Sequence, residues 1–193
     1  MEKTLEQRTS DCLKVVLFGP ESTGKTTLAK KLAAHYNTHW VPEFARDYLQ
    51  EKYDKTQEIC AEEDLIPIAE GQIAHENELS KTANKVLFCD TNVLQTYYYG
   101  KVYYDNFENK TLKNYIRKHR YDLYFLTYID TPWEADDLRD KPHNREEMFH
   151  HFKEALIQER KKNVVLLTGN LEERFKKAIA QIDKMLGKTN PDL

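Results

Sequence analysis

Gly19-Pro20-Glu21-Ser22-Thr23-Gly24-Lys25-Thr26 fits G-x-x-x-x-G-K-[ST], and no other stretch of the chain limits the fold as tightly. A loop of this kind needs a buried strand before it and a helix after it. Both are present. Leu13-Lys14-Val15-Val16-Leu17-Phe18 is a short apolar run suited to a buried strand, and Leu28, Leu32 and Tyr36 recur at the spacing of one helix face. The backbone N–H groups of such a loop wrap a polyphosphate, helped by the positive end of the following helix. Lys25 would reach the β- and γ-phosphates, and the Thr26 hydroxyl would ligate Mg²⁺. The expected nucleotide-binding residues are therefore Gly19, Glu21, Ser22, Thr23, Gly24, Lys25, Thr26 and Thr27.

The remaining sequence alternates. Apolar runs at 13–18, 38–41, 86–90, 123–130 and 164–167 read as strands. Helical patterns lie between them: from the loop to Asn37, a short one from Glu43 to Leu49, Asp64 to Thr82, Leu94 to Tyr99, Thr111 to His119, and Arg145 to Arg160. A last helix carries Leu171, Phe175, Ile179, Ile182 and Leu186 as its apolar stripe, while 54–61 reads as a loop. This order predicts an α/β fold with a mostly parallel five-stranded sheet and helices on both faces. The expected organisation is a flexible leader at 1–11, a single domain at 12–188 with a lid near 136–146, and a tail at 189–193.

A length of 193 residues suits one such domain, and a net charge of −3 supplies no positive field for nucleic acid or an anionic membrane. The basic group Lys110, Lys113, Arg117, Lys118 and Arg120 reads as a solvated helix face. No apolar stretch approaches the roughly 20 residues that span a bilayer. The first ten residues are polar, unlike a signal peptide. Cys12, Cys60 and Cys89 are three in number and lack C-x-x-C spacing, which argues against zinc or a disulfide framework. These features predict a reduced, cytoplasmic protein with no nucleic-acid or membrane partner.

Asp90 ends an apolar strand, where a carboxylate comes near Mg²⁺ and the γ-phosphate; Asp90-Thr91-Asn92 is also good helix-capping chemistry. Thr26 and Asp90 are the expected Mg²⁺ residues. Glu43 and Arg46 follow the second strand, at the sheet edge where ligands of open α/β folds collect. Glu43 could accept a proton from a sugar hydroxyl, and Arg46 could hold the transferring phosphate. Arg139 and Arg145 flank Pro142 in a charged segment that reads as a flap, suited to meeting the charge that develops on that phosphate. Lys25, Glu43, Arg46, Asp90, Arg139 and Arg145 are thus the catalytic candidates. Trp133 and the run Tyr97-Tyr98-Tyr99 are candidates for stacking on a base, and of these Tyr97 and Trp133 join Glu43 and Asp90 as substrate-binding candidates.

Four blocks occur in order: the loop with Glu21 inside it, Glu43-Phe44-Ala45-Arg46-Asp47-Tyr48, Phe88-Cys89-Asp90-Thr91-Asn92, and Trp133-Glu134-Ala135-Asp136-Asp137-Leu138-Arg139. Together they resemble the ribosylnicotinamide kinase domain of the bifunctional NAD-biosynthesis proteins and its single-domain P-loop relatives. The resemblance runs from about Val15 to Leu186. It implies a P-loop NTP hydrolase fold, nucleoside- or nucleotide-kinase-like with a short lid. The activity implied is ATP- and Mg²⁺-dependent phosphorylation of ribosylnicotinamide to nicotinamide mononucleotide, with a small riboside or nucleotide as the partner. The sequence leaves the oligomeric state open, a homo-oligomer included. Pro42 and His75 stand where the family carries two aromatic rings around the nicotinamide, and they stack less well than two large rings. Two further readings stay open: a kinase for another nucleoside or nucleotide, and an ATP-binding regulatory protein with slow ATPase activity.

Overall fold

A computed structural model describes residues 5–134, 144–160 and 163–188. The elements are β1 (Leu13–Phe18), α1 (Lys25–Tyr36), β2 (Trp40–Val41), α2 (Phe44–Thr56), α3 (Leu65–Leu79), β3 (Val86–Asp90) and α4 (Val93–Tyr103). They continue with α5 (Lys110–Lys118), β4 (Leu123–Thr127), α6 (Arg145–Arg160), β5 (Val164–Leu167) and α7 (Leu171–Met185). The strands form one five-stranded sheet in the order β2-β3-β1-β4-β5, every pair parallel. The strand order reverses at β1, so the crevice for a ligand opens at the carboxyl ends of β1 and β3.

Alternation of side chains along each strand feeds two cores. Val15, Leu17, Phe88 and Phe125 pack against Leu28, Leu32 and Tyr36 of α1 and Ala178 and Ile182 of α7. On the other face, Val16, Phe18, Cys89 and Leu126 meet residues of α3, α4, α5 and α6. Burial on both faces explains why the central strands read as continuous apolar runs.

Several boundaries differ from the sequence reading. The strand expected at 38–41 is only Trp40–Val41, and the one expected at 123–130 ends at Thr127. Helix α2 runs on to Thr56, into the expected loop; none of its residues is fully buried, so it carries no apolar stripe to mark its length. In α7 the buried residues are Arg174, Ala178, Ile182 and Asp183, while Leu171 is 38% exposed. The stripe is rotated by about one position, so that an arginine rather than a leucine leads it. The expected lid lies mostly outside the described residues, as does the expected tail at 189–193.

Residues 5–11, expected to be a flexible leader, lie against the domain. The Leu5 side chain is buried, its carbonyl accepts a hydrogen bond from His119 Nε2 at 2.7 Å, and Asn77 Oδ1 accepts from Arg8 N at 2.7 Å. The cause is an ion pair beneath them. Lys14 Nζ and Glu76 Oε1 are 2.9 Å apart with side chains only 6% and 1% exposed. Gln7 Nε2 donates to Glu76 Oε1 at 2.7 Å, and Tyr121 OH donates to Glu76 Oε2 at 2.6 Å. A buried carboxylate needs its lone pairs filled, and the leader fills one of them.

Candidate active site

The phosphate loop is held tightly at its base. Gly19 has φ 146°, and a Cβ there would lie 2.4 Å from Thr127 Oγ1 and 2.9 Å from the Thr127 carbonyl. Only glycine lets the loop leave β1 this close to β4. The Thr23 hydroxyl donates to Pro20 O at 2.8 Å and lies 2.7 Å from Thr127 Oγ1. Gly24, at φ 76°, begins α1 without a side-chain cap, which leaves the first-turn amides of the helix for an anion. Lys25 Nζ donates to Pro20 O at 2.8 Å.

Asp90 ends β3 directly beside β1, where Leu17 pairs with it. Its Oδ2 accepts from Thr26 Oγ1 at 2.5 Å. The carboxyl is wholly buried, and burial, followed by the charge of Glu43, pushes its pKa up to about 7 against the pull of Lys25 and Thr26. Its Oδ1 has no hydrogen-bond partner among the described residues. A carboxylate oxygen left open beside a hydroxyl suits a hard divalent cation such as Mg²⁺, which takes oxygen ligands.

Glu43 stands at the N-terminus of α2. Gln72 of α3, only 2% exposed, grips the backbone on both sides of it: Nε2 donates to Pro42 O at 3.2 Å, and Oε1 accepts from Phe44 N at 2.8 Å. Phe44 then lies over Gly71, where a Cβ would come within 2.1 Å of the ring. His75 meets Phe44 edge-on at 5.2 Å and does not line the cavity.

A cavity of about 580 Å³ joins these parts. Gly19 to Thr27 form one wall, and Glu43, Arg46 and Leu49 form another. Ile59, Leu65, Ile68, Tyr99 and Tyr103 make an apolar end, with the two tyrosine rings stacked at 4.0 Å and 12°. The volume and the mix of apolar wall with a few charged groups suit a small-molecule site.

Most expected residues meet here. Glu21, Ser22, Thr26, Thr27, Glu43, Arg46, Trp133 and Arg145 line the cavity, with Asp90 behind Thr26. Tyr97 does not. It is buried beside Phe107 and donates to Glu108 Oε2 at 3.2 Å. Tyr99 and Tyr103, four residues apart, take the cavity-facing side of α4 instead. Arg145 donates to Thr131 O at 3.0 Å and Ser22 O at 3.1 Å, with its guanidinium 5.7 Å from the Trp133 ring centre. In this arrangement it braces the phosphate loop. Arg139 lies outside the described residues.

Two residues with evident roles escaped the sequence reading. Gln72 is one; with Glu76 it breaks the apolar face of α3 at an i,i+4 spacing, a signal that buried polar work is done there. Arg174 is the other; it lines the cavity from α7 and donates to the Thr23 carbonyl. Among the described residues, no group of three or more His, Cys, Asp or Glu side chains gathers as a metal site, and no helix is long and apolar enough to cross a membrane.

The model of the AAA domain family matches residues 14–174. The chain belongs to this family. The chain is 31% identical over 175 residues to the trifunctional NAD biosynthesis/regulator protein NadR of Escherichia coli (strain K12). That match takes in 90% of this AAA domain chain and 42% of the relative, so the chain spans less than half of the relative's length. A crystal structure of NadR protein in complex with NR gives a TM-score of 0.77 at 22% identity, over 95% of this chain and 54% of that one. Deoxyadenosine kinase from M. mycoides gives 0.68 at 13% identity, over 89% of this chain and 100% of that one. The AAA domain thus has the architecture of P-loop kinases, and the resemblance carried by its four sequence blocks holds.

Proposed function

We propose that this AAA domain is a P-loop phosphotransferase that moves the γ-phosphoryl group of ATP to the 5′-hydroxyl of a riboside, with ribosylnicotinamide as the acceptor. The observation that carries the reading is Glu43: its backbone is gripped on both sides by Gln72, and it lines the same cavity as the phosphate loop, close enough to Asp90 to raise its pKa. A switch that only hydrolyses nucleotide slowly has no need of a second carboxylate held in place beside the phosphate loop.

In this reading the loop amides and Lys25 grip the β- and γ-phosphates, for which Lys25 exchanges the Pro20 carbonyl for phosphate oxygens. Thr26 and Asp90 would hold Mg²⁺, which when bound neutralises charge on the phosphates. Glu43 takes the hydroxyl proton as the acceptor oxygen bonds to the γ-phosphorus and the bond to the bridging oxygen breaks, releasing ADP. Arg46, one turn along α2, faces the same cavity and balances the charge on the phosphoryl oxygens.

The acceptor's ring would lie in the apolar end beside Tyr99 and Tyr103, in place of a clasp at positions 42 and 75. The likeness to NadR, solved in complex with NR, supports ribosylnicotinamide. The likeness to deoxyadenosine kinase, together with the size of the cavity, favours a nucleoside or nucleotide as the second reading. A panel of ribosides and nucleoside monophosphates, incubated with ATP and Mg²⁺ and scored for ADP and product mass, decides between them. Ribosylnicotinamide is expected to yield its monophosphate. ADP release indifferent to every acceptor would overturn the kinase reading.

A further inference from the structure

Arg174 is a buried cation joined to the backbone of three separate segments. Its side chain is only 2% exposed. Nε donates to Gly169 O at 2.9 Å, one terminal nitrogen donates to Thr23 O at 2.5 Å, and the other donates to Tyr128 O at 3.0 Å and pairs with the Asp130 carboxylate. Asp130 in turn accepts from Gly169 N at 2.6 Å. The phosphate loop, the end of β4 and the turn between β5 and α7 therefore converge on a single guanidinium.

We propose that Arg174, neutralised by Asp130, is a positioning residue for nucleotide binding, setting the peptide between Thr23 and Gly24 so that the phosphate loop is aimed before a nucleotide arrives. A trans peptide points its carbonyl and its N–H in opposite directions. Holding the Thr23 carbonyl back toward α7 therefore turns the Gly24 N–H the other way. Gly24 and Arg174 both line the cavity, and a Cβ on Gly24 would lie 4.0 Å from the Arg174 nitrogen that binds Thr23. The anchor thus sits directly behind the loop.

The residue type follows from the acceptors. A planar guanidinium presents donors in fixed, divergent directions and can meet three carbonyls and a carboxylate at once; the compact ammonium of lysine cannot. A core-filling role would call for an apolar side chain at the head of the α7 stripe, since burying a charge costs stability unless it is fully paired. The inference rests on the reading that the loop binds a nucleoside triphosphate.

The test compares the wild type with R174K, R174M and D130N. ADP–Mg²⁺ binding is titrated by calorimetry, kinetics are run with ATP and ribosylnicotinamide, and amide hydrogen exchange is followed. Both Arg174 variants are expected to weaken ADP binding about ten- to hundredfold, the range for losing charged, buried hydrogen bonds. KM for ATP should rise in parallel, KM for ribosylnicotinamide should stay within about twofold, and exchange should quicken at Thr23 and Gly24 but not in β1 or β4. R174K should not rescue, and D130N should shift ADP binding in the same direction. If R174M does not fold, R174K and D130N carry the same readouts. Wild-type ADP affinity in any folded Arg174 variant would overturn the inference alone. So would equal losses toward both substrates with faster exchange throughout the sheet, the mark of a merely structural role. A wild-type protein that bound no nucleotide would overturn the functional reading first, and this inference with it.

Discussion

Lys25 lays its ammonium on the carbonyl of Pro20, 2.8 Å away, so the phosphate loop is closed by the group expected to grip its ligand. Lys25→Met keeps the aliphatic stem and removes the charge. Folding should be little affected, because one exchangeable hydrogen bond is lost. Nucleotide affinity should fall by about 1.5–3 kcal/mol, the usual worth of a hydrogen bond to a charged group. Calorimetric titration with ADP checks this, and unchanged affinity would show that the loop does not hold the phosphates.

Asp90 should reveal itself through pH. Its folded-state pKa of about 7 lies above the ordinary 3.8, so between these values the folded protein holds a proton that the unfolded chain has released. Stability therefore falls as pH rises through that window and stays lower above it. Asp90→Asn removes the dependence. With a chelator present, the variant should melt above the wild type at pH 8, with a smaller gap at pH 5. A gap that widened toward acid would contradict a carboxyl raised by burial. The same variant should lose Mg²⁺-dependent turnover.

Gln72→Leu should separate positioning from binding. The substitution frees the backbone on both sides of Glu43 without touching the phosphate loop. Turnover should drop by about tenfold or more, as a misplaced base would, while KM for ATP holds. Steady-state kinetics over an ATP series checks the split, and a rise in KM for ATP alone would refute the clamp.

At Gly71 the constraint is space. An added Cβ would meet the Phe44 ring at 2.1 Å, so Gly71→Ala must push α2 away from α3. A cost of about 1–3 kcal/mol is expected from overpacking. A urea titration measures it, and Phe44→Leu in the same background should recover much of the loss. Additive losses in the double variant would mean that the two side chains do not compete for one space.

The pair beneath the leader makes the strongest stability prediction. Glu76→Ala leaves Lys14 buried without its partner and should cost about 3–5 kcal/mol. Replacing both, with Lys14→Met and Glu76→Leu, should recover most of this. Denaturant unfolding of the three variants checks it; a double variant as weak as Glu76→Ala would refute the account.

The phosphate loop, Asp90 and Glu43 were legible because each depends on local order: an apolar strand, then the residue that ends it. What stayed hidden depends on contacts between distant segments. Arg174 meets Thr23 across 151 residues of chain, and Gln7 meets Glu76 across 69. Neither leaves a local pattern, and the polar leader could not show that it caps a buried charge. Tyr97 was a different case. Three successive tyrosines on a helix point in three directions, and only the packing of α4 on α3 and α6 selects which of them faces the cavity.

The central position of β1 has a consequence during synthesis. One edge of this strand waits for β3, which begins at Val86, and the other for β4, which begins at Leu123. Val15 to Phe18, wholly buried in the finished sheet, therefore emerge from the ribosome long before either neighbour exists. At about 5–20 residues per second, that is several seconds of an exposed apolar strand with both edges open. A stretch that ends wholly buried is, in the nascent chain, a segment that a chaperone would have reason to cover.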